Sequence, residues 1–255
     1  ERVFDTWFDS SISPLYVLRY SKDDEFFKIS SPCTLRPQGK EIVRTWLYYT
    51  LLKCYLLTDK PIFKDVWIHY HVVDDKGHKM SKSVGNVIDP QEILKKFGAE
   101  PFRLWCAIEG NIDSTDLRCA FDRIDGTTKT LTKLWNVSRF ISMFSKPKTV
   151  KKLNESDKWI ISEVNRLIEE CDKSYSEYDF HNPTLKLKHF LWETFASHYI
   201  EMVKSRAYNQ DNKFTSEEQE TASYTLHYCL DVLLRLLSPT IPLITSKLYS
   251  TLTEK

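Results

Sequence analysis

The sequence predicts a two-part protein, an α/β region over residues 1–120 followed by an all-α helical bundle over residues 121–255. Three observations carry this reading. Before residue 120, short apolar runs that alternate like strands are interleaved with helical patterns. From residue 122 onward, apolar residues recur at spacings of three and four. Between the two regions, 111–121 is polar and irregular.

Composition narrows the classes of function. The net charge is +1, so a polyanionic partner must be met by local segregation of charge. Cys33, Cys54, Cys106, Cys119, Cys171 and Cys229 show no CxxC and no regular spacing. They read as small hydrophobes in a reducing, cytoplasmic setting, not as a zinc site or a disulfide frame. No apolar run reaches the ~18 residues of a membrane span, and no signal-peptide pattern is present. The chain opens without methionine, at Glu1-Arg2-Val3-Phe4, and is expected to be a piece of a longer protein.

In residues 41–57, apolar Ile42, Trp46, Tyr49, Leu52 and Leu56 predict an amphipathic helix, with Gly39 at its start. Ile62, Phe63, Val66, Trp67 and Ile68 run on to Val72-Val73 and predict a strand. It feeds the string Lys79-Met80-Ser81-Lys82-Ser83. Asp89, Pro90 and Glu92 then read as N-cap, N1 proline and N3 glutamate of a helix that stops at Gly98. Strand, loop and helix in this order fit one half of a parallel sheet, with a site at the strand's carboxyl end. Residues 99–109 form a further helix closed by Gly110.

Four long helices are predicted for the bundle. The first covers 122–144. The second, 155–178, carries Ile160, Val164, Leu167, Cys171, Tyr175 and Tyr178 on one face. The third, 183–206, carries Leu187, Phe190, Thr194, His198 and Met202. The fourth, 216–237, opens on a Thr215-x-x-Glu218 capping box and carries Leu226, Cys229, Leu233 and Leu236. Pro239 and Pro242 break it before a last short helix to Leu252. Short connections imply antiparallel neighbours.

Two lysines three residues apart on a flexible loop are mobile point charges suited to a leaving pyrophosphate. Alone they would read as a solvated surface loop, but the string KMSKS is far more specific. It resembles the second signature of the class I aminoacyl-tRNA synthetases. Asp5-Thr6-Trp7-Phe8-Asp9-Ser10-Ser11 and the string from Arg36 to Trp46 (RPQGKEIVRTW) narrow the resemblance to the valyl-tRNA synthetase family of archaeal type. It covers nearly the whole chain.

The resemblance implies the second half of a Rossmann-like class I catalytic domain, a stem-contact region and an anticodon-binding bundle. It implies ATP, as its Mg2+ complex, with valine and tRNA(Val) as partners, for a monomeric enzyme with no protein-bound metal and no membrane. Lys79 and Lys82 are the implied catalytic pair, with Ser81 shaping the loop or donating to phosphate. Gly39 lets the backbone approach the nucleotide, and Glu41 takes the ribose-binding carboxylate position. Trp7 and Trp46 are the expected walls of the amino-acid pocket, the alternative being two core tryptophans. Two departures stand out. Glu41 replaces the usual aspartate, and Tyr70 in His69-Tyr70-His71 replaces a glycine, so its ring either stacks on adenine or crowds it. The first class I signature, His-x-Gly-His, is missing, as is an editing domain, so the chain alone is expected to be inactive. Isoleucyl-tRNA synthetase and a non-catalytic tRNA-binding module are the rival readings.

Between residues 126 and 154 there are seven basic residues and no acidic one. Projected at ~100° per residue, Leu131, Leu134, Trp135, Val137 and Ile141 share an apolar arc. Lys129, Lys133, Asn136 and Phe140 fall opposite it. These four, with Arg139, form the expected tRNA-binding face, with Phe140 as a platform for an unpaired base.

Overall fold

The computed structural model describes residues 3–111 and 115–253 of the 255-residue chain. Residues 1–2 of the opening string and 112–114 of the polar segment lie outside the described residues. The chain forms two compact units. Unit 1 is Glu1–Val73 with Ile112–Leu117, and unit 2 is Asp74–Asn111 with Arg118–Lys255.

Unit 1 begins with three short helices, α1 (Thr6–Ser10), α2 (Ser13–Val17) and α3 (Asp24–Ser30). Asp5 caps α1 and Asp23 caps α3 by accepting backbone N–H groups. Strand β1 (Cys33–Gly39) follows, then a 3-10 turn (Lys40–Ile42), a π-helical segment (Val43–Leu47) and α4 (Tyr48–Thr58). Strand β2 (Phe63–His69) returns parallel to β1, paired from Cys33 with Phe63 to Gly39 with His69. This is one strand–crossover–strand unit, the connection that parallel strands require. A two-residue strand, β3 (Val72–Val73), ends the main stretch of the unit.

Two expectations need correction here. β1 carries Pro37 and little alternation, and the periodicity does not reveal it. The predicted strand through 62–73 is interrupted at Tyr70 and His71, which separate β2 from β3. The helix predicted for 41–57 also changes phase. A π turn has i→i+5 bonds and shifts the buried stripe by a residue. Trp46, Leu47, Thr50 and Cys54 are therefore buried, while Ile42, Tyr49, Leu52 and Leu56 are exposed.

Unit 2 contains the helix pair α5 (Pro90–Phe97) and α6 (Ala99–Glu109), then α7 (Phe121–Ile141), α8 (Glu155–Ser176) and α9 (His181–His189). A π segment (Phe190–Tyr199) joins α9 to α10 (Ile200–Tyr208), and α11 (Ser216–Leu237) and α12 (Pro242–Thr253) complete it. The caps legible in the sequence are present. Asp89 accepts from the Gln91 N–H at 2.8 Å, and Gly98 ends α5 at φ 85°. Thr215 and Glu218 form the reciprocal capping box of α11.

One apolar core runs through unit 2 and includes Leu104, Leu134, Ile160, Phe195, Leu226 and Leu233. Leu104 lies on α6, so that helix packs with the bundle. Arg103 donates to the Thr240 carbonyl at 2.8 Å, and Thr127 donates to the Pro101 carbonyl at 2.8 Å. The third bundle helix, like α4, departs from its predicted face. Beyond Phe190 the buried residues include Leu191, Phe195, Ala196, Tyr199, Ile200 and Val203, while His198 and Met202 are exposed. The π segment again supplies the step of five, from Phe190 to Phe195.

Of the cysteines, Cys54, Cys119, Cys171 and Cys229 are buried, Cys33 is half-buried and Cys106 is exposed. Among the described residues, no helix is long and apolar enough to cross a membrane.

Candidate active site and nucleic-acid interface

In unit 1 the candidate residues gather at the carboxyl ends of β1 and β2, where ligands bind in open parallel sheets. Gly39 and His69 close the strand pairing. The Glu41 carboxylate lies 3.0 Å from His71 Nε2. The Lys40 ammonium sits 4.0 Å from the centre of the Tyr70 ring and 2.8 Å from Asp116 Oδ1. That same oxygen accepts the His71 backbone N–H at 2.9 Å. The Lys40 hydrogen bond, then the His71 N–H, hold the Asp116 carboxyl below its usual value. The two departures, Glu41 and Tyr70, are thus each engaged by a neighbour from the other strand end. Asp116 is the residue the sequence reading missed. It lies 76 residues from Lys40, and nothing local marks it.

Gly39 sits at φ −68°, a backbone any residue adopts, and a Cβ there would meet only His69 Cε1 at 3.8 Å. Its local fold does not demand glycine. Gly39→Ala should therefore leave the unfolding free energy of the protein within about 0.5 kcal/mol of the parent, the range of neutral surface changes. A loss beyond that, in a thermal melt, would show that the backbone and not a ligand requires the glycine.

Trp7 is more than one-third exposed on α1, 6.4 Å from the Tyr49 ring. Lys53 secures that helix by donating to the Phe8 carbonyl at 2.6 Å and lying over the Phe8 ring. Trp46 is buried, with the Arg36 guanidinium 3.9 Å from its ring centre.

In unit 2 the KMSKS loop is built on a carboxylate and an amide. Asp74 Oδ1 accepts the N–H of His78 at 2.6 Å and of Lys76 at 3.1 Å. Its Oδ2 accepts Asn86 Nδ2 at 2.9 Å. Asn86 also donates to the Lys79 carbonyl at 3.2 Å and accepts the Ser81 N–H at 2.9 Å. The string is thus tied at Lys79 and Ser81 to Asn86, which Asp74 holds in turn. Ser81 lies inside the loop, where its hydroxyl is 3.1 Å from that of Ser83 and accepts the Val84 N–H at 3.3 Å. Lys79 and Lys82 are exposed. Neither Asp74 nor Asn86 was singled out by the sequence, because their roles depend on contacts 12 residues apart.

Hydrogen bonds from Asn86, then from the His78 backbone, hold the Asp74 carboxyl below its usual value of 3.8. A depressed carboxylate favours the folded loop above the unfolded value, and this contribution is lost as pH falls through the folded one. The His78 amide should therefore exchange slowly at neutral pH. Its protection factor should fall only once the pH drops below 3.8. Loss of protection already near pH 6, by hydrogen exchange, would contradict this bracket.

The basic helix face is only partly as projected. Lys129, Asn136 and Arg139 are exposed on α7, and Lys133 is half-buried with its ammonium 5.1 Å from the Trp192 ring centre. Phe140 does not stand clear of the core. It packs on it, edge to face with Phe144 at 5.1 Å and Tyr208 at 6.0 Å. Trp135, assigned to the core arc, is 46% exposed. A single-helix projection errs here because the core wraps round α7 toward α10. One side of Phe140 nonetheless lines a groove of about 770 Å³ with Ile200, Glu201, Lys204 and Tyr208.

Residues 1–118 match the family "tRNA synthetases class I (I, L, M and V)", and residues 157–255 match "Anticodon-binding domain of tRNA ligase". The fold is similar to Mycobacterium tuberculosis methionyl-tRNA synthetase in complex with methionyl-adenylate. The TM-score is 0.78 at 21% identity, covering 96% of this chain and 49% of that one. It is also similar to LeuRS of Agrobacterium radiobacter K84 in a ternary complex with tRNA and LeuAMS. There the TM-score is 0.71 at 19% identity, covering 97% of this chain and 32% of that one. Residues 1–118 are thus similar to the class I tRNA synthetases, and residues 157–255 to the anticodon-binding domain of tRNA ligases.

Within that class its sequence relatives are valine–tRNA ligases of archaea. That of Aeropyrum pernix is 45% identical over 97% of this chain and 30% of the relative. That of Pyrobaculum aerophilum is 43% identical over 97% of this chain and 31% of the relative. The chain thus spans about 30% of the length of these relatives.

Proposed function

We propose that this chain supplies part of the activation site and the tRNA-binding bundle of a valine–tRNA ligase. The observation that carries the reading is the KMSKS loop, held by Asp74 and Asn86 with both lysines exposed. In the first step a valine carboxylate oxygen attacks the α-phosphorus of ATP, and the bond to the β,γ-pyrophosphate breaks. Valyl-adenylate forms, and pyrophosphate leaves with its magnesium. No group in this step must take up a proton, so positioning and charge stabilisation do the work. Lys82 and Lys79 neutralise the charge growing on the leaving pyrophosphate. Ser81 and Asn86 set the loop's shape. In the second step a ribose hydroxyl at the tRNA 3′ end takes the valyl group and AMP leaves.

At the strand ends, Glu41 accepts the ribose hydroxyls, and Gly39 leaves room for the nucleotide. The Tyr70 ring, already held by Lys40, stacks on the adenine in preference to swinging across its site. Trp7 and Trp46 bound the valine side chain. Residues 1–120 act as the catalytic part and 121–255 as the anticodon-binding domain. Lys129, Lys133, Asn136 and Arg139 steer and hold the tRNA, and Phe140 walls the groove that takes an unpaired base. The enzyme acts as a monomer in the cytoplasm.

Charging of tRNA(Val) with valine by the full-length protein tests this. Robust charging with valine and little with isoleucine supports it. Binding of tRNA without charging supports a non-catalytic module and overturns it.

A further inference from the structure

A second cavity, of about 930 Å³, lies in unit 2 beside the Phe140 groove. The two are separated by one aromatic partition. Phe144 lines this cavity, Phe140 and Tyr208 line the groove, and Phe144 meets Tyr208 edge to face at 5.1 Å.

Its floor is α11, and its rim is the segment that follows α7. Three buried side chains of α11 fasten that segment down. Ser223 Oγ donates to the Ser145 carbonyl. His227 Nε2 lies 3.1 Å from the Phe144 carbonyl, and Thr221 Oγ1 donates to the Lys152 carbonyl at 3.2 Å. Lys146 and Lys148 are exposed and line the cavity from this fastened backbone. Burial pushes the His227 imidazole below its usual value, so it enters the wall neutral.

Among the described residues the lining has one carboxylate, Asp231, and Arg235 takes up its charge at 2.8 Å. The two lysines therefore set the sign of the cavity. On the floor, Tyr224 and Tyr228 lie one turn apart with rings nearly parallel, 13° between planes. Exposed lysines carried on a fastened backbone, in one cavity with half-exposed parallel aromatic rings, suit a ligand that is anionic at one end and flat at the other.

We infer that this cavity takes one nucleotide of an unpaired stretch of the tRNA, its phosphate at Lys146 and Lys148 and its base against Tyr224. The neighbouring base enters the Phe140 groove, and the partition keeps the two unstacked. The inference rests on the tRNA-ligase reading and adds a second base site to it.

The test is binding of a tRNA(Val) transcript to the full-length protein, by filter binding over a series of salt concentrations. Tyr224→Ala should weaken binding about 10- to 100-fold, the effect of losing one stacked base, while Tyr224→Phe binds like the parent. Lys146→Ala with Lys148→Ala should reduce the slope of log affinity against log salt by about 0.7 per lysine. These lysines are exposed, so that variant folds whatever Tyr224→Ala does. The inference is overturned if the lysine pair keeps the parent slope, or if a folded Tyr224→Ala binds as the parent does. If Phe140→Ala alone weakens binding, the tRNA-ligase reading stands and only the second site falls. If the full-length protein neither binds nor charges tRNA(Val), both fall.

Discussion

Lys82→Ala lowers the single-turnover rate of valyl-adenylate formation by roughly 10²–10³ in the full-length protein, with valine affinity little changed. That is the scale of losing one preorganised stabiliser of transition-state charge. Pyrophosphate carries its extra charge only as the bond to the α-phosphorus breaks, so the ammonium acts on the transition state more than on bound substrate. The loop's architecture makes the effect specific. The Gly85 N–H donates to the Ser81 carbonyl at 3.1 Å, and Gly85 turns the chain at φ 71°. Lys82 thus sits on a tight turn whose shape comes from Ser81, Gly85 and Asn86, and its side chain is dispensable for that shape. Lys76→Ala, on the preceding turn, keeps its backbone bond to Asp74 and should leave the rate unchanged. Rapid-quench measurement with both variants separates charge at the phosphate from charge on the loop in general. An unchanged rate for Lys82→Ala would make the loop structural.

Arg206→Met unfolds more readily by about 3–5 kcal/mol, the cost of leaving a buried charge without its partner. Asp157 is completely buried and Arg206 nearly so. The guanidinium makes two hydrogen bonds to the carboxylate, one to each oxygen. The Tyr199 hydroxyl donates to Oδ1 at 2.6 Å, and burial and the adjacent Asp157 carboxylate push its pKa up. Asp157 Oδ2 also accepts the Asn154 N–H at 3.2 Å as part of the α8 capping box. One carboxylate therefore joins the start of α8 to the third bundle helix. Adding Asp157→Leu to Arg206→Met should recover much of the loss, since an apolar pair of similar volume does not strand a charge. Breaking the exposed Lys204–Glu201 pair should cost under about 1 kcal/mol. Urea unfolding of the four proteins checks the series. A small loss for Arg206→Met would mean that water reaches Asp157 in solution.

What was legible in the sequence was what is local. The ends of α5, α6 and α11 could be read from caps, prolines and glycines, because those signals act within four residues. The stripe Ile160, Val164, Leu167 and Cys171 could be read because α8 is regular. The faces around Val43–Leu47 and Phe190–Tyr199 were misread because a π turn changes the period without changing the composition. The site followed the same division. KMSKS is a contiguous string and was visible. Its supports, Asp74 with Asn86, and the Lys40–Asp116 tie in unit 1 are made by folding and were not. Phe140 and Trp135 exchanged surroundings because a helical wheel has no knowledge of where neighbouring helices lie.

The most direct test of the central claim is ATP–pyrophosphate exchange by the full-length protein with each of the twenty amino acids in turn. Exchange driven by valine, far above that with isoleucine or threonine, is the predicted result. Exchange driven best by isoleucine, or by no amino acid at all, would contradict the assignment of this chain to a valine-activating enzyme.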